Sequence, residues 1–173
     1  RGTTEHYGDT GLTDLLMCTF SKSFASIGGF VAGDAVVVDY IKHFARSLIF
    51  SASMPPANIA AAMASLKIME EEPHHVQRLQ AIARRMLKGF RDLGYDIGVA
   101  ETPIIPLIIG PMDKMFALWR AFMEGGVYTN PVVPPATPPN RCLIRTSYMA
   151  THTDADLDRI LEIAGEAGRK LGI

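Results

Sequence analysis

The chain has 173 residues, 48% of them apolar and 20% charged, with a formal net charge of -1 and a pI near 6.6. That balance excludes a disordered polyampholyte, supplies ample material for a hydrophobic core, and lacks the basic face of a nucleic-acid binder. No apolar run reaches the roughly 18 residues that a membrane-spanning helix needs, and the two distant cysteines, Cys18 and Cys142, fit a reducing, cytoplasmic setting better than a disulfide scaffold or zinc site.

Residues 1–13 are polar and glycine-rich and predict a loop. They open RGTTEHYGDTG, without an initiator methionine or a signal peptide, and read as the interior of a longer chain. Asp14–Phe20 (DLLMCTF) has the length of a short strand, and Gly28–Gly33 reads as a second, with glycines that let backbones approach closely. Asp34 is placed to cap a helix to about Ala45, with Val37, Tyr40, Ile41 and Phe44 on one face. Leu48–Ser53 predicts another strand or extended segment, ended by Met54-Pro55-Pro56. A proline at the first turn suits the Ala- and Met-rich helix Ala57–Glu72, which Pro73 breaks. His74–Leu93 follows as a basic amphipathic helix stopped by Gly94.

Pro103–Gly110 (PIIPLIIG) predicts a buried strand whose prolines push it toward an edge or an irregular start. Pro111–Gly125 predicts a helix, Val127–Asn130 a short strand, Pro131–Asn140 a proline-rich loop and Cys142–Tyr148 a strand. Thr153 caps a last helix to about Lys170, with Asp154 and Asp156 complementing its dipole. His43, His74 and His75 read as solvated and His152 as structural, and no His/Cys/Asp/Glu spacing fits a metal site.

The segment that carries chemistry is Thr19-Phe20-Ser21-Lys22-Ser23-Phe24-Ala25-Ser26-Ile27-Gly28-Gly29. A lysine just past a buried strand, among small and hydroxylated residues, is expected to be desolvated, which favours the neutral amine of Schiff-base chemistry. A lysine there can equally cap the end of a sheet.

This segment resembles the lysine signature of the pyridoxal-phosphate-dependent α-oxoamine synthases, Thr-x-Ser/Gly/Ala-Lys followed by a glycine pair. The resemblance continues through Ser51-Ala52-Ser53-Met54-Pro55-Pro56, Thr102–Pro106, Gly126–Pro131, Pro134-Pro135-Ala136 and Leu143–Thr153, in family order over nearly the whole chain. SKSFASIGGF and RTSYMATHT are most similar to the bacterial serine palmitoyltransferase branch, with 8-amino-7-oxononanoate synthases and 2-amino-3-ketobutyrate CoA ligases close behind.

The resemblance implies an α/β fold: the C-terminal part of a fold type I transferase dependent on pyridoxal 5'-phosphate (PLP). Residues 1–60 would be a remnant of the large PLP-binding domain, at the edge of its sheet. Residues 61–173 would be a connecting helix and a small α+β domain. By position, Lys22 is the Schiff-base lysine and the acid/base at the amino-acid Cα, while Thr19 and Ser21 contact the cofactor phosphate or ring oxygen. Ser51 and the backbone of Ala52 reach the phosphate of the neighbouring subunit's cofactor in a homodimer, and Arg145 binds the substrate carboxylate. The implied reaction condenses an amino acid, serine by the closest wording, with an acyl-CoA and releases CO2. The resemblance also implies that the partner of the pyridinium nitrogen, the ring-stacking histidine and the glycine-rich phosphate loop belong upstream of residue 1, which makes this chain alone an inactive piece. A non-enzymatic alternative is a folded domain that only dimerises or packs, through the apolar helix 57–72.

Overall fold

The computed structural model describes residues 2–8 and 11–173. They fall into two compact units, one ending at Glu72 and one running Pro73–Ile173. The division lies twelve residues after the expected 60/61 boundary, so the helix of residues 56–71 belongs entirely to the first unit.

In the first unit, strands β1 (Leu15–Thr19) and β2 (Gly29–Gly33) form an antiparallel pair from Leu15↔Gly33 to Thr19↔Gly29. Around them lie the helices α1 (Thr3–His6), α2 (Ala35–Phe44), α3 (Arg46–Ile49) and α4 (Pro56–Glu71). Two expectations are corrected here. Residues 1, 9 and 10 of the expected loop lie outside the described residues, and the described part of 1–13 contains a helical turn, α1, closed by the His6 N–H on the Gly2 carbonyl at 3.1 Å; one turn is too short to leave a periodic signature. Leu48–Ser53 is not extended: α3 occupies its start, and the Ser51 hydroxyl donates back to the Ser47 carbonyl one turn earlier. Asp34 stands at the N-cap of α2 as expected, but its side chain makes no capping bond.

This unit has almost no interior of its own. Ser26 and Ala62 are its buried residues among those described, while Val36, Tyr40, Phe44, Phe50, Ile59 and Met63 are exposed. Tyr40 and Phe44 stack one turn apart, with centroids at 4.4 Å.

The second unit is built differently. Its three-stranded antiparallel sheet has the order β3 (Ile104–Gly110), β5 (Cys142–Ser147), β4 (Asn130–Val132). Three helices, α5 (His74–Asp92), α6 (Met112–Glu124) and α7 (Asp154–Leu171), share a core with it. Alternation turns Ile105, Leu107, Cys142, Ile144 and Thr146 inward, where the hydrophobic ones meet Met86, Phe90, Met115, Leu118, Phe122 and Leu157 in one fully packed cluster. Each large apolar side chain buried here contributes about 1.5–3 kcal/mol. Proline in β3 is tolerated because the strand is at the sheet's edge. The outward Ile108 N–H finds the Asp96 carbonyl at 2.8 Å, the Ile104 N–H finds Thr102 Oγ1 at 3.3 Å, and Pro106 between them has none to place.

β4 begins three residues later than expected and includes Pro131. The Val127 N–H is already committed to the Phe122 carbonyl (2.8 Å) as part of the turn that ends α6 at Gly126. Gly94 ends α5 in the same way, with its own N–H on the Arg91 carbonyl and that of Tyr95 on the Phe90 carbonyl, both at 3.0 Å. The Tyr95 hydroxyl then donates to the Ala164 carbonyl at 2.8 Å, and burial pushes its pKa up to about 12.

Thr153 caps α7 reciprocally: its hydroxyl accepts from the Asp156 N–H at 3.2 Å, while the Asp156 carboxylate accepts from the Thr153 N–H at 2.8 Å. His152 accepts the Met149 N–H at 2.9 Å, which fixes the turn into this helix and fits the structural reading. Arg78 and Arg85 of α5 reach Asp154 at 2.9 and 3.1 Å, and Arg85 also pairs with Asp158. The hydrogen bond and charge of Arg78, then Arg85, hold the Asp154 carboxyl below its usual range.

Two predictions follow from α7. Thr153→Ala removes half of the reciprocal cap and should lower stability to urea by about 1 kcal/mol. Because Asp154 is ionised more readily in the folded state, its contribution is present above the ordinary carboxylate pKa of about 3.9 and fades as pH falls below it. Asp154→Asn should therefore cost stability at pH 7 and progressively less as the pH falls below the ordinary carboxylate range, as read from urea midpoints across that range.

Candidate active site

The β1–β2 pair is closed by a loop, residues 20–28, that carries the lysine. Phe20 N–H bonds the Gly28 carbonyl and Ser26 N–H bonds the Phe20 carbonyl, each at 2.9 Å, and Ala25 N–H bonds the Lys22 carbonyl at 3.0 Å. The Phe20 ring packs against Phe24 and Phe30, with centroids at 5.1 and 5.9 Å. Two hydroxyls fasten the loop to α4: Ser26 donates to the Asn58 carbonyl at 2.8 Å, and Ser65 donates to the Phe24 carbonyl at 3.1 Å. The glycine pair is dictated by space. Gly28 has φ +95°, and a Cβ there would strike the Met54 side chain; a Cβ on Gly29 would run into the Cys18 carbonyl.

At the start of this loop the side chains of Thr19 and Ser21 meet, with Lys22 the next residue along the chain. The Thr19 and Ser21 hydroxyls share a hydrogen bond of 2.8 Å, and the Ser21 N–H points at Thr19 Oγ1 from 3.3 Å. Lys22, the next residue, is exposed. The desolvation expected of a lysine just past a buried strand is not met within the first unit: β1 alternates between exposed and half-buried residues, and the Phe20 ring packs against Phe24 and Phe30. Ser51 is exposed too, its proton given to Ser47, and Ala52 follows it in the segment leading to α4.

The donor set suits PLP. Among the described residues Lys22 has no carboxylate partner, so its amine is available to an aldehyde carbon, and the adjacent hydroxyls are of the type that binds phosphate or ring oxygens.

Arg145 belongs to the second unit, on β5. Its side chain lies on the sheet face turned away from the three helices, and it is exposed. Cross-strand register sets Pro106 of β3 on one side of it and Asn130 of β4 on the other. The guanidinium donates to Asn130 Oδ1 at 3.4 Å, and among the described residues no carboxylate pairs with it. Asn130 was not singled out from the sequence. Its place opposite Arg145 is a matter of strand register, which no local pattern spells out, although the GVYTNP motif contained it.

The model for aminotransferases of class I and II matches residues 3–163. The chain belongs to that family. It is 47% identical over 161 residues to a serine palmitoyltransferase of Sphingobacterium spiritivorum, covering 93% of this chain and 40% of the relative. A putative 8-amino-7-oxononanoate synthase 2 of Mycobacterium tuberculosis is 45% identical over 163 residues, covering 94% of this chain and 21% of that protein. A solved structure of SPT with its PLP internal aldimine superposes with a TM-score of 0.93 at 32% identity, over 99% of this chain and 44% of that one. The chain thus spans less than half the length of these relatives. Its mixed helices and sheets match the expected α/β class, as part of a fold type I enzyme.

Gly29→Ala should force the two hairpin backbones apart at Cys18, lowering stability by about 1–3 kcal/mol. Ser21→Ala, at an exposed position, should leave the thermal midpoint within a degree or so of the parent. Paired melting curves test both.

Proposed function

We propose that this chain is part of a PLP-dependent acyltransferase that condenses an amino acid, serine in the preferred reading, with an acyl-CoA thioester. CO2 and free CoA leave, and a 3-oxo amine of the sphingolipid type remains. The observation that carries this reading is the lysine loop: Lys22, with no carboxylate partner among the described residues, directly follows the hydrogen-bonded Thr19–Ser21 pair, in a chain 47% identical to a serine palmitoyltransferase.

When bound, PLP supplies the electron sink for the negative charge that develops at the amino-acid Cα. Lys22 would hold the cofactor through Nζ and would remove and return the proton at the amino-acid Cα. Thr19 and Ser21 would donate to the cofactor phosphate or ring oxygen. Arg145 receives the amino-acid carboxylate on its planar fork, which matches two oxygens at once.

The same reading makes the enzyme a cytoplasmic homodimer, with Ser51 and the Ala52 backbone reaching the phosphate in the neighbouring subunit. The apolar side chains exposed on the first unit support burial in a larger assembly. The two free thiols, Cys18 and Cys142, support a reducing compartment, and no helix among the described residues is long and apolar enough to cross a membrane. The 173 residues alone are inactive in this reading. The 45% identity to a putative 8-amino-7-oxononanoate synthase supports a second reading, with the same residue roles but a different amino acid and acyl group.

The test is made on the full-length protein that carries this chain. Purified with PLP, it should show the absorbance of covalently held cofactor, and Lys22→Ala should abolish the band and lower turnover by about 10²–10⁴-fold or more. A full-length protein that stays colourless with added PLP overturns the proposal. Turnover with serine, glycine and alanine against short and long acyl-CoAs decides the branch, and a preference for either of the other two amino acids overturns the serine assignment.

A further inference from the structure

We propose that Asn130 is the positioning residue of Arg145, a neutral partner that orients the guanidinium toward a substrate carboxylate without cancelling its charge. The inference rests on the reading of Arg145 as the carboxylate clamp.

Asn130 stands directly opposite Arg145 in the β4–β5 ladder, and its Oδ1 accepts from the guanidinium at 3.4 Å. The residue opposite on the other side is Pro106, whose side chain offers no polar atom. The amide is itself oriented, because Asn130 Nδ2 donates toward the Tyr128 hydroxyl at 3.5 Å, turning Oδ1 to the arginine. The backbone is restricted as well: Pro131 follows, and the residue before a proline is confined to extended conformations.

A guanidinium has five N–H donors in one plane, and a bidentate carboxylate takes two of them along one edge. To present that edge, the plane must be held by an acceptor on an N–H that the carboxylate does not use. An Asp or Glu would hold it more strongly, but would neutralise the site and compete with the substrate for the same donors. An amide oxygen accepts one N–H and leaves the full positive charge for the incoming carboxylate. The absence of any carboxylate partner for Arg145 among the described residues fits this division of labour. Both side chains are at least partly open to solvent, so the bond adds little to folding and acts on geometry.

The test uses the full-length holoenzyme and three variants, Asn130→Asp, Asn130→Ala and Arg145→Ala, with KM measured separately for the amino acid and the acyl-CoA. Asn130→Asp, nearly the same shape but charged, should raise the amino-acid KM by about tenfold or more and leave the acyl-CoA KM within about twofold. Asn130→Ala, which loses orientation but adds no competing charge, should raise the amino-acid KM by about two- to fivefold. An unchanged amino-acid KM in Asn130→Asp, or an equal rise in both KM values, overturns the proposal. Arg145→Ala separates the two claims. If it raises the amino-acid KM while Asn130→Asp does not, the clamp stands and the positioning role falls. If Arg145→Ala leaves that KM unchanged, the clamp reading falls and the positioning role falls with it.

Discussion

At Gly29 two stretches of backbone pass so closely that a single methyl group has no place between them. That contact lies at the end of the β1–β2 ladder, where the chain leaves β1 at Thr19 and re-enters at Gly29. The nine residues between must turn within that gap. Their backbone bonds, the aromatic triplet around Phe20 and the hydroxyls of Ser26 and Ser65 determine how. The Thr19–Ser21 hydroxyl pair and Lys22 after it stand where that turn begins.

The two units supply different physical conditions to the groups they carry. Arg145 stands on the central strand of a sheet whose opposite face is sealed by a fully packed core, so its Cα is held as firmly as the fold allows. The lysine loop stands on a hairpin with scarcely any buried side chains beneath it and is held by specific hydrogen bonds instead. Ion pairs contribute little to either arrangement. Those between α5 and α7 lie at the surface, where screening keeps each one weak.

What could be read from the sequence divides along physical lines. The long periodic helices and the apolar strands of the second unit were legible because burial on one side imprints a period of 3.6 or 2 on the residues themselves. The Thr153 cap was legible because its partners lie within three residues. α1 and α3 were not, since a single turn has no period to display. β4 was misplaced because the turn after α6 consumed Val127, a tertiary choice between two uses of one N–H. The lysine motif was legible as a string of residues, but the expected desolvation of Lys22 was not met: it is exposed, at the end of a strand that is itself at most half-buried. Asn130 escaped notice for a related reason: a cross-strand neighbour fifteen residues away in sequence is defined only once the strands pair.

The rim of β3 has a bearing on how such a domain survives at high concentration. Along Ile104–Ile108 every outward backbone donor is spoken for: one by Thr102, one by the Asp96 carbonyl, and the middle one abolished by Pro106. An unpaired strand edge is the usual template on which a second chain zips itself into a growing ribbon. This edge offers an incoming strand no free donor over that stretch, and β4 at the other rim is three residues long with a proline in its middle. Neither rim of the three-stranded sheet presents the row of free donors on which a further strand would pair, and a proline stands in each.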